Sequence, residues 1–117
     1  MTFANITSET LDEKQLIKGH FPQVNKKVTL ASGQSLTAGA VLGKVTATGK
    51  HILSLSGASD GSEVASVILA HDVDATAADK EAMVYLSGEF FADELTFGTG
   101  HTAASLRDSL RALNIYI

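Results

Sequence analysis

His71, Asp72 and Asp74 form the tightest group of side chains in this chain that could do chemistry. Imidazole and carboxylate groups carry protons and bind metals. A protein metal site needs three or four converging ligands, however, and neighbours on a strand point to opposite faces. The other histidines, His20, His51 and His101, are far away in sequence. The group therefore reads as polar residues at a strand end, and no metal is expected. Asp72, Asp74, Asp79 and Glu81 raise calcium as a second possibility. A helix-loop-helix calcium loop requires alternating acids, a central glycine and a late glutamate. The segment DVDATAADKE has neither the glycine nor the third spaced ligand, so it reads as a solvated acidic loop.

Nucleophilic and phosphate chemistry fare no better. SGASDGS, Ser56 to Ser62, is rich in glycine and serine but lacks the G-x-x-x-x-G-K-[ST] frame that cradles phosphate. The chain has no G-x-S-x-G elbow, and Ser56 and Ser59 have no base nearby in sequence. Asp93 and Glu94 are adjacent, whereas a glycosidase needs opposed carboxyls. Lys44 and Lys50 flank a glycine-rich hairpin, which invites comparison with lipoyl or biotinyl carrier domains. Those domains present their lysine between Asp or Met and Ala or Met. Here Lys44 lies between Gly43 and Val45, and Lys50 between Gly49 and His51. A small prosthetic-group or ligand-carrying β domain stays open as the alternative function. No catalytic residue, cofactor or metal ligand is assigned.

The composition narrows the class. The 117 residues are 44% apolar, enough for one globular domain with a modest core. There is no Trp, and the aromatic residues are Phe3, Phe21, Phe90, Phe91, Phe97, Tyr85 and Tyr116. The core must therefore be mainly aliphatic, which favours a protein that gains stability by associating. Ten glycines against the single Pro22 indicate tight turns between short strands. Without Cys there are no disulfides or thiolate metal sites. Met1 to Gln15 has no basic start and no long apolar run, so no signal peptide is expected. No apolar window approaches the ~18 residues of a membrane span.

Charge is unevenly distributed within a net of −4. Residues 1–59 carry six Lys and three acids, and residues 60–117 carry ten acids against Lys80, Arg107 and Arg111. An acidic chain without a basic stripe is a poor nucleic-acid binder. The imbalance fits either an uneven scatter of solvated charges or an acidic outer face opposite a more basic docking side.

The elements that must hold these residues read as follows. In residues 1–22 the apolar positions Phe3, Ile6, Leu11, Leu16, Ile17 and Phe21 are spread among polar ones. Thr10 and Glu13 could box a short helix over 11–18, which Gly19 would end and Pro22 would keep from resuming. This segment reads as a loosely attached arm, with a helix packed on the domain as the other reading. Val28 and Leu30 begin a strand, and Ser32-Gly33 makes a turn. Val41, Leu42 and Val45 make a second strand, with a bulge or close approach at Gly43. Thr48-Gly49 is a hairpin signal before a returning strand, His51 to Leu55. Val64 to Ala70, VASVILA, reads as a buried strand. Asp72 to Asp79 reads as a turn region. Met83 to Leu86, with Phe90 and Phe91, predicts another strand, with a bend or bulge at Ser87-Gly88, which Leu95 to Phe97 could continue. Ala103 to Leu113 predicts a helix capped by Thr102, with Ala103, Leu106, Leu110 and Leu113 on one face and Asn114 as its breaker. Ile115 to Ile117 predicts a last short strand. The fold class is mainly β with minor α.

The order of these pieces carries a resemblance. KKVTLASGQSLTAGAVLGKVTATGK (Lys26 to Lys50) is followed by the Asp60-Gly61 loop, ASVILAHDVDAT (Ala65 to Thr76) and VYLSGEF (Val84 to Phe90). A leucine-rich closing helix then ends in LNI (Leu113 to Ile115). Over roughly residues 22–117 the chain resembles the lambda-type head decoration family of tailed bacteriophages. The resemblance implies a compact β-rich decoration fold (residues 23–117) with one C-terminal helix and a flexible N-terminal arm (residues 1–22). It implies a non-enzymatic virion protein, made in the host cytoplasm, that sits on the outside of the expanded capsid as a homotrimer. The implied partner is the major capsid protein of the cognate phage, with no nucleic acid or membrane partner. The arm residues that would contact it are Phe3, Ile6, Leu11, Leu16, Ile17 and Phe21.

Overall fold

The structure is a computed structural model, and it describes Ile17 and residues 23–117. The short helix expected at 11–18 falls outside the described residues except at Ile17. The described strands are β1 (Val24–Leu30), β2 (Gln34–Leu36), β3 (Val41–Lys44), β4 (His51–Leu53), β5 (Ala65–Leu69), β6 (Val73–Ala75), β7 (Lys80–Glu89) and β8 (Ile115–Tyr116). One helix, α1 (Ala103–Arg111), precedes β8. Among the described residues the fold is mainly β with one α-helix near the C-terminus, the class that the sequence predicts.

The main sheet runs β1-β4-β3-β5-β7-β8, and a further pairing joins β1 to β7. That pairing closes β1, β4, β3, β5 and β7 into a ring. The closure is lopsided. β1 meets β7 antiparallel along its whole length, from Val24 opposite Ser87 to Leu30 opposite Lys80. It meets β4 in parallel only at Leu30 and His51. β2 and β6 form a separate antiparallel pair, with Leu36 opposite Val73.

Two apolar clusters hold this arrangement. One contains Leu30, Leu42, Val67, Leu69, Ala82 and Val84, with Val73 and Ala75 of β6. The other contains Val41, Ile68, Phe90 and Leu95, with Leu106 and Leu110 of α1 and Ile115 of β8. Strand β5 serves both, sending Val67 and Leu69 to the first and Ile68 to the second. A strand buried on both faces has no polar alternation, which is why VASVILA reads as a continuous apolar run.

Several expectations shift at the element ends. Asp72 to Asp79 is not all turn, because Val73 and Ala75 are buried with Asp74 exposed between them. That three-residue alternation is a strand hidden in an acidic context. As expected, β7 runs on through Gly88, at φ +145°, with a register irregularity where Val24 and Asn25 face Ser87 and Tyr85. Leu95 to Phe97 does not extend it, because a 3-10 turn, Ala92–Glu94, intervenes and Thr96 bridges to Ala40. The predicted bulge at Gly43 is present as a register shift between Leu42 and Gly43. A Cβ there would lie 2.0 Å from the Ser62 carbonyl oxygen. Thr102 caps α1 in a reciprocal box with Ser105, and Asn114 takes a left-handed conformation at φ +66°. Leu106 and Leu110 are buried, whereas Leu113 lies beyond the helix end and is 43% exposed.

Candidate interaction surface

The residues that looked chemical are engaged in holding backbone. His71 Nε2 accepts the Met83 N–H at 3.1 Å, so the ring proton sits on Nδ1, which donates to the Asp72 carbonyl at 3.1 Å. Both ring nitrogens are thus occupied, and neither offers a lone pair to a metal. Asp72 Oδ1 accepts the Ala38 N–H at 2.9 Å. Asp74 accepts from the backbone and hydroxyl of Thr76, and the hydroxyl bond holds its carboxyl below the ordinary range. Asp60 does the same with Ser62, again with a lowered carboxyl pKa caused first by the hydroxyl bond. Asp93 and Glu94 lie in the 3-10 turn. Among the described residues no three His, Asp or Glu side chains gather as a metal site would need.

Lys50 does not stand free at a hairpin tip, as a carrier lysine would. Its Nζ lies 2.6 Å from Asp79, whose second oxygen accepts the Ser32 N–H at 2.8 Å. The lysine bond, and then the Ser32 bond, lower the Asp79 carboxyl. Lys27 pairs with Glu81 across β1 and β7 at 3.7 Å. Both pairs join the basic sequence half to the acidic one.

One polar group escaped the sequence reading. Ser54, fully buried, donates its hydroxyl proton to the Ser62 carbonyl at 2.6 Å. His101 Nε2 lies 3.1 Å from Ser54 Oγ and 3.1 Å from the Glu63 carbonyl. A carbonyl only accepts and the serine proton is already used, so Nε2 carries the proton and donates. This is the reverse of a serine activated by a basic imidazole. The group ties the loop after β4 to the turn before α1. Serine and histidine are 47 residues apart, and no local pattern announces their meeting.

His51 is different. It is 7% exposed, and its Nδ1 has no hydrogen-bond partner among the described residues. Burial lowers its pKa, and Lys44 and Lys26 lower it further. The ring stays neutral inside a strand that pairs with both β1 and β3.

Among the described residues the exposed large apolar side chains are Val24, Leu55, Val64, Phe91 and Leu113. Val24 is 51% exposed, and its N–H donates to Ser87 Oγ at 3.2 Å. Next to it along β7, the Gly88 N–H donates to the Asn114 carbonyl at 3.0 Å, which sets 43%-exposed Leu113 at the same end. Phe91 follows, also exposed. Ile17 bridges antiparallel to Phe90 and packs, half-buried, on the second cluster. Ile17, Val24, Phe91 and Leu113 thus lie on segments that pair with or adjoin the C-terminal end of β7, whereas Leu55 and Val64 are exposed elsewhere in the chain. Of the expected arm residues only Ile17 is placed; Phe3, Ile6, Leu11, Leu16 and Phe21 lie outside the described residues.

A ring of short strands whose polar side chains fasten its own loops defines a small β-rich domain. The family model of the bacteriophage lambda head decoration protein D matches residues 6–115. The chain belongs to that family, and its role is a structural one at the phage head. No curated protein matched the chain.

Proposed function

We propose that this protein binds the outside of the expanded capsid of its phage as trimers and stabilises the head against internal DNA pressure. Its partner is the major capsid protein. Residues 23–117 form the domain outside the shell, and residues 1–22 are the arm, with Phe3, Ile6, Leu11, Leu16, Ile17 and Phe21 as its apolar positions. The role is non-enzymatic. The observation that carries this reading is the family match over residues 6–115, which spans almost the whole chain.

Physical reasoning supports it. An extended segment added to a sheet edge satisfies backbone groups without a demanding side-chain code. A trimer engages several sites together, so weak single contacts sum through effective concentration. Binding the expanded state alone stabilises that state by linkage.

The test is co-sedimentation of purified protein with expanded and unexpanded shells of the cognate phage, with reconstruction of the decorated particles. Saturable binding to expanded shells, with density in threes, is expected. Equal binding to both shell forms, or none to either, overturns the reading.

A further inference from the structure

Ile17 is the one described residue ahead of residue 23, and its contacts are specific. It forms an antiparallel bridge to Phe90, the residue immediately after β7. Its side chain is half-buried against the cluster of Phe90, Leu106, Leu110 and Ile115. Phe90 is fully buried, and its N–H is taken by the Tyr116 carbonyl at 2.8 Å. The cluster that Ile17 packs against draws side chains from β3, β5, α1 and β8 as well as Phe90. Val24 meets the same strand edge at Ser87. Phe90 lies three positions after Ser87, but Ile17 lies seven positions before Val24, so the two contacts belong to different registers. Ile17 is therefore a second, independent attachment and not a continuation of β1.

We propose that Ile17 is the positioning residue of the arm, a clasp that fixes where the chain upstream of it leaves the domain. On this assignment Ile17 does not touch the capsid. The contacts made before the clasp fall to Phe3, Ile6, Leu11 and Leu16. A fixed exit point limits the volume that the upstream segment explores, which raises its effective concentration near a site on the shell. Exposed Val24 pairs with Ser87 near the end of β7, and exposed Phe91 directly follows Phe90, so domain and arm would present apolar surface at the same end. This inference rests on the arm reading above and gives one of its residues a different role.

The experiment compares the full chain with Ile17→Asp, Ile17→Val and a deletion of residues 1–16, measuring thermal melting and binding to expanded shells. Methyl-to-ring nuclear Overhauser contacts of Ile17 are recorded on the free wild-type protein. Contacts from the Ile17 methyls into the Phe90 cluster are expected. Ile17→Asp is expected to weaken shell binding at least tenfold while the domain still melts cooperatively, and Ile17→Val to restore it. Wild-type binding by Ile17→Asp, or failure of Ile17→Val to recover binding, overturns the clasp. If Ile17→Asp does not fold, the Overhauser contacts decide, and their absence overturns it. The deletion probes the arm itself. Full decoration without residues 1–16 overturns the arm reading, whatever Ile17 does, whereas lost binding with the Ile17 contacts retained supports both.

Discussion

A glycine at a β-bulge and a glycine in an open turn look alike in sequence, and here they do different things. Gly43 has the Ser62 carbonyl oxygen 2.0 Å from where a Cβ would stand, and that oxygen is already fixed by the Ser54 hydroxyl. Gly33 takes φ +90° with nothing within 4 Å. Gly43→Ala should therefore cost about 2–4 kcal/mol, because backbone must move. Gly33→Ala should cost only the conformational term of about 1–2 kcal/mol. Chemical denaturation of the two variants checks this, and equal losses would contradict it. His51 gives a pH dependence whose sign follows from its lowered pKa. The unfolded chain protonates this ring near 6.5 and the folded chain only at lower pH. Between those values the unfolded state binds more protons, so stability falls as pH drops, and above 6.5 the effect vanishes. His51→Leu should flatten the slope of denaturation midpoint against pH just below 6.5; an unchanged slope would contradict the assignment. Asp60, Asp74 and Asp79 also lose their contribution on acidification, but in a separate window below their ordinary value of 3.8. At this scale the sequence told which residue types were present but not their partners. His101 finds Ser54 only because the fold brings two distant loops together.

Elements with a sustained pattern were legible, and those whose pattern lasts three residues were not. The helix shows its 3-4 spacing and its Thr102 cap in the chain itself, and α1 forms there with Leu106 and Leu110 inward. β5 is marked by its β-branched apolar run. β6 was hidden because only Val73 and Ala75 face inward, and the acids around them outweigh the signal. β2 was missed for the same reason, since it exists chiefly as the partner of β6. The nine-residue helix opens on a capping box in which Thr102 Oγ1 accepts the Ser105 N–H at 3.1 Å. Thr102→Ala should lower stability by about 1 kcal/mol. Thr102→Ser should hold most of it, as thermal melts would show. A larger loss in the serine variant than in the alanine variant would contradict the cap.

On the scale of the whole molecule, β5 links the two clusters and ring closure links the first strand to the seventh. The two cores are therefore expected to unfold together. Val84→Ala and Leu110→Ala each remove buried methyl groups, one from each cluster. They should each destabilise the protein, Leu110→Ala by about 2–5 kcal/mol. Both should leave a single calorimetric transition. A second transition in either variant would mean that the clusters are separate units. Neither the ring nor the clusters declare a partner. The order of short motifs along the chain pointed to a head decoration protein, whereas the polar residues that promised chemistry proved to be fastenings of the fold. The central claim is that this protein coats the phage head, and counting it there tests the claim most directly. Quantitative mass spectrometry of density-purified virions should find it at a copy number comparable to that of the major capsid protein. Its absence from otherwise intact virions would contradict the account.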